Sequence, residues 1–339
     1  MAWQRGASAF ARFFAHESAG GVVLALAALA ALALPPAALA QAFPSKALTL
    51  VVPFAAGGTA DMIARKVAPK LTEKYKVPVV VDNKPGAGGA IGNRIVATSP
   101  GDGHTLLIAS AGITTEPALR RNLQYNMQTD LAAVTKLVTM PNVVVVNADV
   151  KVKTLSELIA YAKAHPGKLT VGSSGNGSST HFSAELLKAT AGVDIVHVPY
   201  KGGAPSWQAI MAGEVNMLVD PISNARKLVD SRKVRALALA APKRTDYWPD
   251  LPTAAEAGLP GYEVDMWFGV FASGKTPPAL VKEIQEAFRQ LMAEPDFKAW
   301  AADLGFTIVG NTPQDFAAGN AAEVRRWTEV VRVNKITAE

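Results

Sequence analysis

Three times along the chain, a short apolar run ends in a stretch of glycine, serine and threonine that opens an amphipathic segment. The stretches are residues 53–61 (PFAAGGTAD), 172–181 (GSSGNGSSTH) and 199–205 (PYKGGAP). A strand, a glycine-bearing turn and a helix in direct succession form the repeating unit of α/β folds, so this pattern constrains the architecture more than any other feature. Residues 48–54 (LTLVVPF) read as a buried strand, and Ile63, Val67 and Leu71, spaced by four, set a helix face over 59–75. Further strands are expected at 77–82, 105–110 and 143–147, with a helix at 90–97. The series then restarts: helix 155–164, strand 169–172, helix 180–191 ending at Gly192, strand 194–198, helix 205–212 ending at Gly213, and strands 215–220 and 234–240. Helices at 277–292, opened by Pro277-Pro278, and at 313–333 close the chain. This alternation predicts parallel sheets covered by helices on both faces. Two series of about 100 residues each, with no sequence repeat between them, predict two lobes rather than one sheet.

The three loops suit capture of an anion. The first turn of a helix leaves backbone N–H groups without helical partners and carries partial positive charge. Glycine lets a ligand come close to that backbone. Thr59, Ser178, Ser179 and Thr180 can cap the helices or donate hydroxyls to a ligand. A carboxylate placed there is held by neutral donors and needs no arginine, each helix end contributing about 0.3–2 kcal/mol. Taken singly, each loop is equally an ordinary strand–helix turn with its cap. Three of them at the carboxyl ends of predicted strands, where open α/β sheets bind ligands, favour a site. Asp220, at the end of a predicted strand, either accepts a hydrogen bond from a ligand hydroxyl or amine or caps the next turn. Trp207 and Phe268 read as core packing, and Trp267 is left open between core and cleft.

Other chemistry finds little support. None of His16, His104, His165, His181 and His197 has metal-ligand spacing, so neither metal nor cofactor is expected. The glycine cluster at 83–92 has the spacing G-x-G-x-x-x-G, not that of a dinucleotide fingerprint, and no phosphate-binding G-x-x-x-x-G-K-[ST] occurs. There is no G-x-S-x-G elbow. A secreted hydrolase using Ser178 or Ser179 with His181 would place nucleophile and base within one helical turn, with no acid partner, so His181 reads as a helix residue bordering the cleft. The net charge of +6 is spread along the chain with no run of four Lys/Arg, which argues against nucleic acid. Cysteine is absent, and with 49% apolar residues the 339-residue chain can fill full cores. Residues 22–34 (VVLALAALAALAL) follow Arg5 and Arg12 and precede Ala38-Leu39-Ala40. This predicts a signal peptide over residues 1–40, cleaved after Ala40, and export to the periplasm; the 13-residue apolar stretch is short for a membrane span.

Several segments together resemble the substrate-binding proteins of tripartite tricarboxylate transporters, also called the Bug family. They are LTLVVPFAAGGTADMIAR, VVVDNKPGAGGAIGNRIVATSPGDGHTLLIAS, LTVGSSGNGSSTHFSAELL, VPYKGGAPSWQAIMAGEVNMLVDP and LPTAAEAGLPGYEVDMWFGVFASGKTPPALV, and the likeness covers residues 43–339. The resemblance implies a type II-like periplasmic binding protein, non-enzymatic, with two α/β lobes that close like a hinge on a ligand in the cleft. Lobe one is then 42–143 plus 263–339, and lobe two 144–262. It further implies that a small carboxylate (a di- or tricarboxylate, an amino acid or an aromatic acid) is held by the first loop at Phe54, Ala55, Ala56, Gly57, Gly58, Thr59 and Asp61. From the other lobe it is met by Ser173, Ser174, Gly175, Ser178, Ser179, Thr180 and His181, with Lys201, Gly202, Gly203, Ala204 and Asp220 nearby. The expected partners are the carboxylate and the permease subunits of such a transporter, the chain itself being a monomer that binds no nucleic acid. A sensor subunit for a membrane kinase is the alternative that the sequence does not separate. Ala55-Ala56, where proline or serine is common in the family, and Asp220-Pro221 leave the ligand's identity open.

Overall fold

A computed structural model describes residues 43–120 and 122–336; the signal peptide expected at 1–40 lies outside them. The first three strands, β1 (Leu48–Val52), β2 (Val79–Asn83) and β3 (Thr105–Ser110), alternate with helices α1 (Thr59–Tyr75) and α2 (Ala90–Ala97). β1 pairs in parallel with both β2 and β3, with Leu50 opposite Val81 and Leu106. Ile63, Val67 and Leu71 of α1 are buried, as their spacing requires. After β3 comes α3 (Gly112–Leu119), which contains Pro117 and was not expected from periodicity.

β4 (Leu131–Asn147) is the long element of the fold. Its first part, up to Pro141, pairs antiparallel with β9 (Asp265–Ser273). Its last part, from Asn142, pairs antiparallel with β7 (Met217–Pro221) and β8 (Val234–Leu239). Pro141 has no N–H to give a ladder and stands where the pairing changes partner. The sheet order is β2-β1-β3-β9-β4-β7-β5-β6, with β8 and the short β10 (Thr307–Ile308) also on β4. Here β5 (Thr170–Ser173) and β6 (Val196–Pro199) are parallel to each other, and β5 is parallel to β7.

The parallel sheets expected from the alternation therefore hold for β2-β1-β3 and β6-β5-β7. Between them stand antiparallel strands, and the ladder is continuous through β4. The fold is α/β with a mixed sheet. The first half comprises β2, β1, β3, β9 and the start of β4; the second half comprises the end of β4 with β5 to β8.

The helices of the second half are α4 (Leu155–Ala164), α5 (Ser179–Ala191), α6 (Gly203–Ala212) and α7 (Ile222–Asp230). α5 and α6 stop at Gly192 and Gly213, both left-handed, which glycine adopts without a Cβ clash. The chain then returns through β9 to α8 (Pro278–Ala293), α9 (Pro295–Asp303) and α10 (Pro313–Asn334). α10 reaches back to the second half, where Trp327 packs edge-on against Phe182 of α5 at 4.8 Å. No described helix is long and apolar enough to cross a membrane.

Candidate ligand-binding site

A narrow cavity of about 30 Å3 lies where the two halves face each other. Its walls are built by helix starts and strand ends. α1 brings Gly58, Thr59 and Ala60, with Phe54 from the loop before it; α5 brings Ser179 and Thr180, with Ser174 before it; α6 brings Gly203. All of these except Ala60 are expected site residues. The remaining wall was not named, apart from Asp220: Ser110 closes β3, Asp220 and Pro221 close β7, Asn224 sits in α7, and Met266 and Phe268 alternate along β9. Phe268, expected to be core packing alone, is buried and also faces the cavity. Trp267, between them in sequence, is fully buried beside Phe316 at 5.2 Å and donates through Nε1 to Glu323. Among the described residues no lysine or arginine lines the cavity.

The helix starts carry unused donors. The first intrahelical bonds run from Met62 N–H to Gly58, from Phe182 N–H to Ser178 and from Ser206 N–H to Gly202. The amides of Thr59, Ala60, Ser179, Thr180, Gly203 and Ala204 precede those bonds and have no helical acceptor. The starts of α1 and α6 also meet head to head. A Cβ placed on Gly58 would lie 3.7 Å from the Gly203 nitrogen and 3.8 Å from the Ala204 nitrogen. Two positive helix ends held that close repel each other unless a negative group sits between them.

The other expected site residues stand around the cavity rather than in its wall. Asp61 is a brace: its oxygens accept from Gly57 N–H, Arg65 and Asn83, and these bonds, against the opposing effect of burial, hold its pKa below the usual carboxylate value. Ala56 and Gly57 are exposed, and Ala55 donates its N–H to the Lys201 carbonyl across the halves at 3.0 Å. Gly202 abuts the same amide, where an added Cβ would lie 3.0 Å from it, and Ala204 packs 3.5 Å from the Cβ position of Gly57. Ser178 is the N-cap of α5, accepting from His181 N–H, so of the two roles open to it capping is the one taken. Thr59 does not cap α1; its hydroxyl meets Ser223 and accepts from Asn224. Gly175 carries a positive φ of 120° and accepts from Ser178 N–H.

His181 reads from the sequence as a helix residue bordering the cleft, and the histidine that meets a serine hydroxyl is His197. His181 accepts Gly177 N–H at Nδ1 and stacks on His197 at 4.0 Å, while His197 Nε2 meets Ser173 Oγ at 2.6 Å. Neither His181 nor Ser173 lines the cavity. A second contact between the halves lies at Arg120, which donates to the carbonyls of Ala87 and Asn176. Asp220 is buried; its Oδ1 accepts from Trp207 Nε1 at 2.8 Å and from Asn224 at 3.0 Å. Burial pushes its pKa up to about 6. Among the described residues no group of three or more His, Asp and Glu could hold a metal.

Glu116 of α3 supports the loop at Gly89 that touches Phe54. It accepts from Asn93 at 3.0 Å and from the Tyr125 hydroxyl, and burial pushes its pKa up to about 8. A carboxyl raised in the folded state binds more protons folded than unfolded. Its contribution is complete below its ordinary value of 4.5 and is lost as pH rises through 8. Burial lowers His181 to about 3 and His197 to about 4, so their contribution is complete above pH 6.5 and is lost on acidification. Between pH 6.5 and 8 the Glu116 effect acts without these opponents. Stability measured by urea unfolding is expected to fall by roughly 2 kcal/mol across that interval, and Glu116→Gln to flatten the decline. Unchanged stability in the wild-type chain would show that Glu116 is ionised throughout.

The model of the tripartite tricarboxylate transporter family receptor matches residues 63–336. A UPF0065 protein from the tcbD-tcbE intergenic region of a Pseudomonas strain is 38% identical over 299 residues, 88% of this chain and 89% of the relative. A Rhodopseudomonas palustris protein solved with adipate superposes with a TM-score of 0.83 at 36% identity, covering 87% of this chain and 99% of that one. MatC from the same organism, solved with bound malate, gives 0.82 at 34% identity, covering 85% and 100%.

Proposed function

The chain belongs to the tripartite tricarboxylate transporter receptor family, and from that premise we propose that it is an exported periplasmic receptor that captures a small carboxylate without transforming it. The observation that carries this reading is the cavity ringed by the starts of α1, α5 and α6, with no basic side chain in its wall among the described residues. Such a ring offers several amide donors to one charged group. Hydrogen bonds to a charged group contribute about 1.5–3 kcal/mol each, so a few of them reach micromolar affinity, about −8 kcal/mol. The adipate and malate carried by the two Rhodopseudomonas relatives are consistent with that ligand class.

In this reading the halves are two lobes, 42–143 with 263–339 and 144–262, hinged where β4 changes partner. A cavity of about 30 Å3 has room for about two water molecules, so the lobes open to admit the solute and close on it. The closed monomer then delivers the solute to the permease subunits of the transporter, after residues 1–40 have been removed during export. Capture without chemistry is supported by the serines: Ser178 is spent on capping, and Ser173, the one paired with a histidine, is outside the cavity wall.

Thermal melts of the purified chain against a panel of mono-, di- and tricarboxylates test the proposal. A ligand at 100 times its dissociation constant adds about 2.7 kcal/mol of stability, so at least one carboxylate is expected to raise the melting temperature by several degrees. No shift with any carboxylate, together with turnover of ester substrates, would replace this reading with a hydrolase.

A further inference from the structure

The cavity wall pairs its helix starts with one buried carboxylate. Asp220 closes β7 with 2% of its surface exposed. Oδ1 is fully engaged by Trp207 and Asn224. Oδ2 has no hydrogen-bond partner among the described residues, and it lies 3.9 Å from the Cβ position of Gly203, at the start of α6. A polar oxygen inside a low-dielectric cavity thus faces the place where the ligand's charged end would rest. Among the described residues of the wall no lysine or arginine offsets a second negative charge there. Phe54, Met266 and Phe268 supply apolar surface, and the polar side chain beside Oδ2 is the uncharged hydroxyl of Ser174, also 3.9 Å from the Cβ position of Gly203. A ligand that presents only acceptors sets oxygen against oxygen, or forces Asp220 to take up a proton. A ligand with a hydroxyl or ammonium group beside its carboxylate donates to Oδ2 and removes both costs.

We infer that Asp220 is a specificity-determining residue that selects hydroxy- or amino-substituted carboxylates over their unsubstituted counterparts. This rests on the carboxylate-receptor reading above and narrows it. Asn224 couples the selection to the first half of the fold, because its amide donates both to Asp220 and to Thr59 of α1.

Calorimetry of the purified chain at pH 7.5 with matched pairs tests the inference: malate against succinate, lactate against propionate, aspartate against succinate. The substituted member of at least one pair is expected to bind tenfold or more tightly. Asp220→Asn keeps an acceptor for Trp207 and Asn224 while removing the charge, and it is expected to narrow the ratio to about threefold. Titration in buffers of different ionisation heat is expected to show proton uptake for the unsubstituted member only. Should the variant fail to fold, the wild-type ratio and the proton count decide alone. Equal affinities within every pair that binds, or a ratio unchanged in Asp220→Asn, would overturn the inference and leave the carboxylate-receptor reading standing. Binding by no carboxylate at all would overturn both.

Discussion

Replacing Gly88 with valine is expected to weaken carboxylate binding by about 100-fold or more while the chain still folds. Gly88 lies in the turn after β2, with a φ of +60°. A Cβ there would lie 2.1 Å from the Asn176 carbonyl oxygen and 2.7 Å from the Ser178 nitrogen, both backbone atoms of the loop that opens α5. Neither atom belongs to a flexible side chain that can swing away. The halves must part at this edge or the turn must move, and either change takes Ser179 and Thr180 away from the opposite wall. A hundredfold loss is about 2.7 kcal/mol, little more than one charged hydrogen bond. The folded state is expected to survive because the clash is confined to the edge where the two loops meet. Gly192→Ala is the control: it shares a positive φ, 62°, and a Cβ there meets nothing within 4 Å. It should cost about 1–2 kcal/mol of stability with no change in affinity. Calorimetry on the two variants separates the cases, and full affinity in Gly88→Val would show that contact along this edge is not needed for capture.

Trp267→Ala is expected to cost about 3–5 kcal/mol of stability and to leave affinity unchanged in the folded fraction. Trp267 is fully buried, packs on Phe316 and Phe271, and spends its N–H on Glu323. Truncation opens a void between β9 and α10 and removes one donor to that carboxylate, which keeps Thr114 and the ion pair with Lys136. Its neighbours in sequence, Met266 and Phe268, point to the other face of the strand and line the cavity. Phe268→Ala should therefore show the complementary result, a change in affinity with a smaller loss of stability. Urea unfolding paired with calorimetry on both variants checks the assignment; a weakened ligand with Trp267→Ala alone would mean that the two faces of β9 are not independent.

The local elements were largely legible in the sequence, because the signals that define them are short-range. α1, α2, β3 and α4 run over the expected residues, and α5 and α6 end at the glycines expected to stop them. β4 was seen only at its Val-rich end. Its first eleven residues, LAAVTKLVTMP, lack clean alternation, and the register with β9 shifts twice along them. α3 escaped because Gly112 and Pro117 both read against a helix. In the cavity wall, the legible residues follow glycine-rich turns. Ser110, Asn224, Met266 and Phe268 arrive from elements far apart in sequence, and nothing near them in the chain reports that they converge. Asp61 illustrates the converse. A carboxylate in a helix's first turn beside a glycine loop reads as a ligand contact, but Arg65, Asn83 and the Gly57 amide already occupy it.

In the proposed function a carboxylate is held between the two halves by helix starts and not by a basic side chain. A crystal structure of the chain with a carboxylate that raises its melting temperature tests this directly. The carboxylate oxygens are expected within about 3 Å of an amide of Thr59 or Ala60 on one side and of Ser179, Thr180, Gly203 or Ala204 on the other. A carboxylate paired with a lysine or arginine, or bound to one half alone, would contradict it.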